Sequence, residues 1–123
     1  MTPDEVVWFI NHKYGEQAYI VETNEEILIF SRTSKWIIFK KDFSKFHIYT
    51  LFHFNDIERK HYHIQNRSGN IDYLVFQAVM HDNKNNHIDW LEFKRLWEMY
   101  LLGREIEERA TKWEWLAGNG LVA

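Results

Sequence analysis

The feature that most constrains the fold is a run of strand-like segments between Ala18 and Gln65, separated by very short polar breaks. The segments are rich in β-branched and aromatic residues, which favour extended backbone. Two breaks, Asn24-Glu25 and Thr33-Ser34, are so short that they connect only antiparallel strands, because a parallel crossover needs about a dozen residues. We therefore predict an antiparallel meander. Its strands lie near 18–23, 26–32, 35–40, 45–54 and 61–65.

Helical patterns flank the strand region on both sides. Thr2-Pro3-Asp4-Glu5 has the residues of a capping box with proline in the first turn, which predicts a first helix over 3–14 that stops at Gly15. Asn70 is placed to cap a second helix, and Asp89 to cap a third. The predicted fold class is α+β: an antiparallel four- to five-stranded meander with one N-terminal helix and two C-terminal helices, the last long or broken near Gly103.

The chain has 123 residues, which is the size of one domain, so we predict that residues 1–123 form a single domain. Its two central strand segments, 27–30 and 36–39, are apolar without alternation. Such a pattern indicates that both faces of the sheet are covered at these strands. Either helices lie on both sides of the sheet, or another subunit covers one side.

The last helix changes its apolar face at Gly103. At 100° per residue, one arc of the helix carries Trp90, Phe93, Leu96, Trp97, Tyr100 and Leu101. The apolar residues beyond Gly103 fall on roughly the opposite side, and Met99 and Leu102 join this second stripe. A straight helix of this length reaches past the edge of a domain of this size. Two alternatives follow: the helix breaks at Gly103 and buries Trp113 in the chain's own core, or its far half presents an apolar stripe to another chain.

We predict that the second stripe is an interaction surface, because large amphipathic aromatic residues dominate protein interfaces. Pairs such as Glu105 with Arg109 support helix through this region. The predicted interaction residues are Met99, Leu102, Ile106, Trp113 and Leu116.

The composition narrows the class of protein. The absence of cysteine excludes disulfides, thiolate metal sites and a cysteine nucleophile. The N-terminus, Met1 to Glu5, lacks the features of a secretory signal, and no apolar run approaches the ~20 residues that span a bilayer. We therefore predict a cytoplasmic protein without a membrane partner.

The middle of the chain is locally basic, although the net charge is −3. Residues 32–67 carry eight Lys or Arg residues against three acidic ones. Basic groups among aromatic rings suit a single-stranded nucleic acid, which we keep as an alternative partner. An acidic protein is another ligand for this region. The residues concerned are Lys40, Lys41, Lys45, Arg59, Lys60 and Arg67, with Phe43, Tyr49 and Tyr62.

Histidines cluster in the last two predicted strands. If residues 55–60 form the turn, His47, His53, His61 and His63 share one face of the sheet, with His53 opposite His61. Three imidazoles suffice for a zinc site, so a metal-dependent enzyme is a further alternative. Histidines on a solvated strand face explain the same residues, and we predict no metal ligand and no cofactor.

The segment from His81 to Glu92 resembles the calcium loop of EF-hand proteins, with Asn83, Asn85, Asp89 and Glu92 at ligand positions. The resemblance implies cation binding. The sequence departs from that pattern because His81 replaces the first aspartate and Asn86 the turn glycine. An Asn-rich loop that ends in a helix cap at Asp89 explains the same residues.

We find no phosphate-binding loop, nucleophile elbow or dinucleotide fingerprint in this sequence. The predicted function is therefore a non-enzymatic protein-protein interaction or regulatory module, such as a small inhibitor or immunity-type binder. Its size and its richness in Ile, Asn, Lys, Phe and Tyr suggest a prokaryotic, viral or mobile-element origin. The sequence does not identify the protein partner, and a homodimer or other homo-oligomer is one alternative.

Overall fold

The computed structural model of the chain describes residues 1–41, 45–54, 61–83 and 87–118. The predicted α+β class is confirmed: one helix precedes a five-stranded antiparallel sheet, and two helices follow it. The elements are α1 (Pro3–Tyr14), β1 (Tyr19–Glu22), β2 (Glu26–Phe30), β3 (Lys35–Phe39), β4 (Tyr49–Phe54), β5 (Tyr62–Ser68), α2 (Ile71–Met80) and α3 (Trp90–Gly118).

Helix α1 begins and ends where its sequence predicts. The Thr2 hydroxyl accepts a hydrogen bond from the Glu5 N–H, and the Glu5 carboxylate accepts one from the Thr2 N–H, which completes the capping box. Gly15 follows the helix with φ of 70°, a left-handed conformation that glycine adopts without steric cost. The cap of α2 is also confirmed, since the Asn70 side chain accepts from the Tyr73 N–H.

The sheet has the strand order β1-β2-β3-β4-β5, so each strand pairs with its neighbours in the sequence. The predicted start of β4 at residue 45 is wrong, because the strand begins at Tyr49 and His47 has φ of 54°. Such a conformation interrupts extended backbone. The predicted end of β5 at residue 65 is also wrong, since the strand continues to Ser68 past an irregularity opposite Leu51 and Phe52.

A compact unit comprises residues 1–87, and its core lies between the two helices and one face of the sheet. Alternate residues of the central strands, Ile27, Ile29, Trp36 and Ile38, are almost completely buried. Side chains on the adjacent faces of α1 and α2 fill the other side of this core. Their buried members are Val6, Val7, Phe9, Ile10, Leu74, Val75, Phe76, Ala78 and Val79.

A second compact unit begins at Ile88, and its described part consists of the entry to α3 and the helix itself. This helix is continuous over 29 residues, from Trp90 to Gly118. The alternative of a helix broken at Gly103 is therefore wrong, and the predicted long helix is confirmed. The prediction of one domain over 1–123 stays a prediction. In the described parts of the chain, no helix has the length and apolarity required to cross a membrane.

Candidate interaction surfaces

The predicted interaction residues lie on one face of α3. Met99, Leu102, Ile106 and Trp113 are each more than half exposed, with values between 56% and 62%, and Leu116 is partly exposed. We call these five residues the α3 stripe. The exposure of Trp113 also contradicts the alternative in which this residue is buried in the chain's own core. The stripe is thus an apolar face at the surface of a single copy of the chain.

Charged side chains of α3 form two ion pairs, one at the α3 stripe and one on the opposite face of the helix. Arg109 donates to the Glu105 carboxylate at 2.7 Å, and Arg104 lies 3.8 Å from the Glu108 carboxylate. Both pairs span one helical turn, as predicted, and exposed pairs of this kind stabilise a helix by a few tenths of a kcal/mol. They contribute to the helical stability of the distal half of α3, in which no described side chain is buried.

No contact within the described parts of the chain requires a glycine at position 103. Apart from its chain neighbours and the adjacent backbone of its own helix, a methyl group built at this position meets no atom within 4 Å. Glycine inside a helix is roughly 1 kcal/mol less favourable than alanine. The helix therefore carries this cost without a packing gain from the single chain.

The sheet presents a second apolar surface, on the face opposite to α1 and α2. Cross-strand neighbours share a face, and the register pairs Tyr19 with Phe30 and Phe54 with Tyr62. The Tyr19 and Phe30 rings stack at 4.6 Å, and the Lys35 ammonium lies 4.7 Å from the centre of the Phe30 ring. We call this surface the open sheet face. Its most exposed members are Tyr19, Val21, Phe39, Tyr62 and Ile64, between 45% and 61%.

A pocket of about 500 Å³ lies at the end of the open sheet face near the start of β4. Phe39 and Phe52 line it, with ring centroids 5.7 Å apart. Three of the residues predicted for nucleic-acid binding, Lys41, Tyr49 and Arg67, line the same pocket. Lys40 instead pairs with the Glu22 carboxylate at 2.9 Å. Arg59, Lys60 and Phe43 lie outside the described residues.

None of the predicted interaction residues lies on the open sheet face, although the sequence pattern indicates that this face is apolar. The unbroken apolar runs over 27–30 and 36–39 predicted a cover on both faces of the sheet, by helices or by another subunit. In residues 1–87 both helices pack on the same face. The sequence indicated that two faces are apolar, but it did not indicate which face the helices occupy.

The predicted histidine pairing is wrong in its register. His53 lies opposite His63 and not opposite His61, because Phe54 pairs with Tyr62. The His53 Nδ1 is 3.4 Å from the His63 Nε2, and the His53 Nε2 is 3.0 Å from the Ser34 hydroxyl. His47 precedes β4 in a left-handed conformation, and His61 precedes β5. The four histidines thus do not form the predicted set on one face.

His81 and Asp82 extend this cluster from the end of α2. The Asp82 carboxylate accepts hydrogen bonds from the Ser31 hydroxyl at 2.9 Å and the Thr33 N–H at 3.2 Å. Its other oxygen lies 3.0 Å from the His81 Nδ1. Burial alone would raise the pKa of Asp82, but these hydrogen bonds outweigh burial and hold the pKa below its ordinary value.

Burial lowers the pKa of His53, and the neighbouring His81 and His63 imidazoles lower it further. The Asp82 carboxylate opposes them only in part. The cluster therefore favours neutral His53. Among the described residues, no group of three or more His, Asp or Glu side chains is arranged to hold a metal ion. The expectation that these histidines bind no metal stays a prediction.

The segment that resembles a calcium loop is described only in part. Asn85 and Asn86 lie outside the described residues. The Asp89 carboxylate accepts a hydrogen bond from the Glu92 N–H at 2.8 Å, which is the contact of a helix N-cap. This contact supports the interpretation of Asp89 as the cap of α3.

Comparison with known proteins gives no relative from which to transfer a function. No family model matches this sequence, and no curated protein or solved structure matches it.

Proposed function

We propose that this chain is a protein-binding module that acts without catalysis, and that the α3 stripe is its binding surface. The observation that carries this proposal is the exposure of Met99, Leu102, Ile106 and Trp113, each above 55%, on one face of a continuous helix. Burying one such side chain contributes about 1.5–3 kcal/mol. An apolar helix face of this kind is a common element of protein recognition.

The chemistry of the stripe suits an interface anchor. Tryptophan is enriched among the residues that dominate binding energy, and Trp113 is the tryptophan of the α3 stripe. The same proposal includes the finer expectations from the sequence: a small inhibitor or immunity-type binder in the cytoplasm.

Site-specific photocrosslinking tests the proposal in cells of the source organism. A photoreactive phenylalanine analogue replaces Ile106 on the stripe. The matched control carries the same analogue at Glu108, which is exposed on the opposite face of α3. We expect a discrete protein adduct from position 106 that is absent from position 108. The adduct should disappear when Trp113→Asp is added.

Equal labelling from positions 106 and 108 would contradict the proposal, because it would indicate random collision. A Trp113→Asp variant that retains the adduct would also contradict it. Circular dichroism of each purified variant checks that α3 remains helical.

The open sheet face supports a second candidate function, which is the binding of single-stranded nucleic acid. Exposed rings on a sheet provide stacking surfaces for bases, and Lys41 and Arg67 flank the pocket beside Phe39. Binding to a single-stranded oligonucleotide is measured over a range of salt concentrations. We expect affinity to fall with salt, and Arg67→Ala to reduce the slope by about one unit.

Matched controls for this second candidate lie elsewhere on the chain. Lys94→Ala removes an exposed cation from α3, and Trp8→Ala removes an exposed ring from α1. Neither variant should weaken oligonucleotide binding, whereas Tyr62→Ala should. Affinity that does not depend on salt would reject this candidate.

A further inference from the structure

The α3 stripe has the spacing of a two-stranded coiled coil. From Met99 to Leu116, the residues at positions 99, 102, 106, 109, 113 and 116 follow alternating steps of three and four. This is the heptad pattern in which two helices pack side chain against side chain. Five of the six positions are apolar, and Arg109 is the exception.

We propose that the partner of the α3 stripe is a second copy of this chain, packed antiparallel along α3. The inference rests on the proposed function and specifies its partner. Met99 of one copy then faces Leu116 of the second copy, and Leu102 faces Trp113. The same contacts occur twice because the pair is symmetric.

Arg109 determines the direction of the two helices. In a parallel pair each heptad position faces itself, so the two Arg109 side chains would lie against each other in the centre of the interface. In the antiparallel pair Arg109 faces Ile106. Its aliphatic stem covers this side chain, while its guanidinium keeps its contact with Glu105 at 2.7 Å.

Charges beside the stripe determine the register. In the antiparallel arrangement described above, Glu105 lies beside Lys112 of the second copy, and Lys112 beside its Glu105. Both residues are exposed, and a carboxylate that already accepts from Arg109 has further acceptor sites. A shift by one heptad in one direction would bring the two Glu105 residues together, and the opposite shift would bring the two Lys112 residues together. The register with opposite charges also buries the whole stripe.

Small residues line the opposite flank of the interface. Their packing in the dimer explains why position 103 is a glycine. Gly103 lies beside Ala110 of the second copy in the same register. The position beside Gly103 is open in the single chain, and the glycine otherwise only costs helix stability. Small residues on this flank let two helix backbones approach closely.

Cysteine crosslinking tests the direction, because the chain contains no native cysteine. Purified Met99→Cys protein is mixed with purified Leu116→Cys protein and oxidised. A disulfide requires Cα atoms within about 7 Å. In the antiparallel pair positions 99 and 116 meet, whereas two copies of position 99 are about 25 Å apart along the helix.

We expect a covalent dimer from the mixture and none from either variant alone. Covalent dimer from each variant alone would overturn the proposal, because it indicates a parallel pair. A mixture that gives no covalent dimer would overturn it as well.

A charge exchange tests the register. Sedimentation over a concentration series gives the dissociation constant of the wild-type dimer. Glu105→Lys and Lys112→Glu should each raise this constant, because each places like charges beside each other. The double variant E105K/K112E restores opposite charges and should recover most of the affinity. Double-variant affinity no better than that of either single variant would overturn the register.

Two further variants, one inside and one outside the proposed interface, distinguish a loss of dimerisation from a general effect of a surface charge change. Ile106→Asp places a carboxylate in the interface and should raise the dissociation constant by at least about 100-fold. Glu108→Lys on the opposite face should leave it unchanged. A wild-type chain that is monomeric at all concentrations overturns the homodimer. If position 106 of such a monomeric chain still crosslinks to a different protein in cells, the proposed protein-binding function stands and only the homodimer is rejected.

Discussion

The indole of Trp36 lies flat against the imidazole of His53, with the ring centroids 4.0 Å apart and the planes 14° from parallel. Trp36 is completely buried, and its indole N–H donates to the Ser31 hydroxyl at 3.0 Å. Ser31 in turn donates to Asp82. A buried tryptophan thus connects the β2–β3 hairpin, the histidine cluster and the end of α2.

We predict that this cluster makes stability depend on pH. The pKa of His53 is lowered in the folded chain, so the unfolded chain binds a proton more readily. The free energy of unfolding should therefore decrease as the pH falls through about 6.5, the ordinary pKa of histidine, and this loss should be complete below the folded-state pKa. Denaturant unfolding at a series of pH values measures the effect.

His53→Phe is the variant that assigns this pH dependence. It keeps an aromatic ring against Trp36 but does not titrate, so the decrease in stability over this pH range should become smaller. His87→Gln is the control, since His87 is exposed. An unchanged pH dependence in His53→Phe would show that another group is responsible. The other titratable groups of the cluster are His63, His81 and Asp82.

Asp82 should contribute stability that persists to lower pH. Its pKa is lowered, so its contribution is complete above about 3.8 and is lost as the pH falls through the folded-state value. Its side chain is 11% exposed and makes three hydrogen bonds. Asp82→Ala should lower the free energy of unfolding at neutral pH by about 1.5–3 kcal/mol.

Urea unfolding of Asp82→Ala beside Glu98→Gln measures this contribution. Glu98 is exposed on α3, and its replacement should change stability by less than about 0.5 kcal/mol. An Asp82→Ala variant as stable as Glu98→Gln would mean that the bonds to Ser31 and Thr33 make no net contribution.

A third prediction concerns Asn11, which connects α1 to β1. Its side-chain amide donates to the Ala18 carbonyl at 2.7 Å and accepts from the Ala18 N–H at 3.0 Å. Asn11→Ala removes both bonds and should cost about 1–3 kcal/mol. Asn11→Asp keeps the acceptor for the Ala18 N–H but sets a carboxylate oxygen against the Ala18 carbonyl, so it should also lower stability. Thermal unfolding measures the loss of stability, and Gln17→Ala, at an exposed position, is the control. If Gln17→Ala loses as much stability as Asn11→Ala, the two bonds to Ala18 are not the cause.

Sequence determined the topology because its strongest signals are local. The two-residue breaks at Asn24-Glu25 and Thr33-Ser34 require hairpins, and Thr2, Gly15 and Asn70 mark helix ends through contacts with near neighbours. These signals need no knowledge of distant residues. They predicted the order of the strands in the meander, with one helix before the sheet and two helices after it.

The sequence predicts the structure wrongly where contacts between residues far apart in the chain determine the pairing or the packing. The pairing of His53 depends on where β4 and β5 begin to pair beside their connection, and the structure pairs Phe54 with Tyr62 there. Residue types do not reveal this point, so the sequence predicts the wrong histidine opposite His53. The choice of the sheet face on which α1 and α2 pack is also a tertiary property. The open sheet face was therefore missed, whereas the α3 stripe was found because helical periodicity is local.

The last prediction concerns the ion pair between Glu16 and Arg32, whose shortest distance is 3.2 Å. The Glu16 side chain is 2% exposed, whereas that of Arg32 is 59% exposed. Arg32→Ala leaves a buried carboxylate without this partner and should lower the free energy of unfolding by about 2 kcal/mol. Adding Glu16→Gln removes the charge, so the double variant should be more stable than Arg32→Ala. Arg95→Ala on α3 is the control, and a double variant no more stable than Arg32→Ala would show that the buried charge is not the cause.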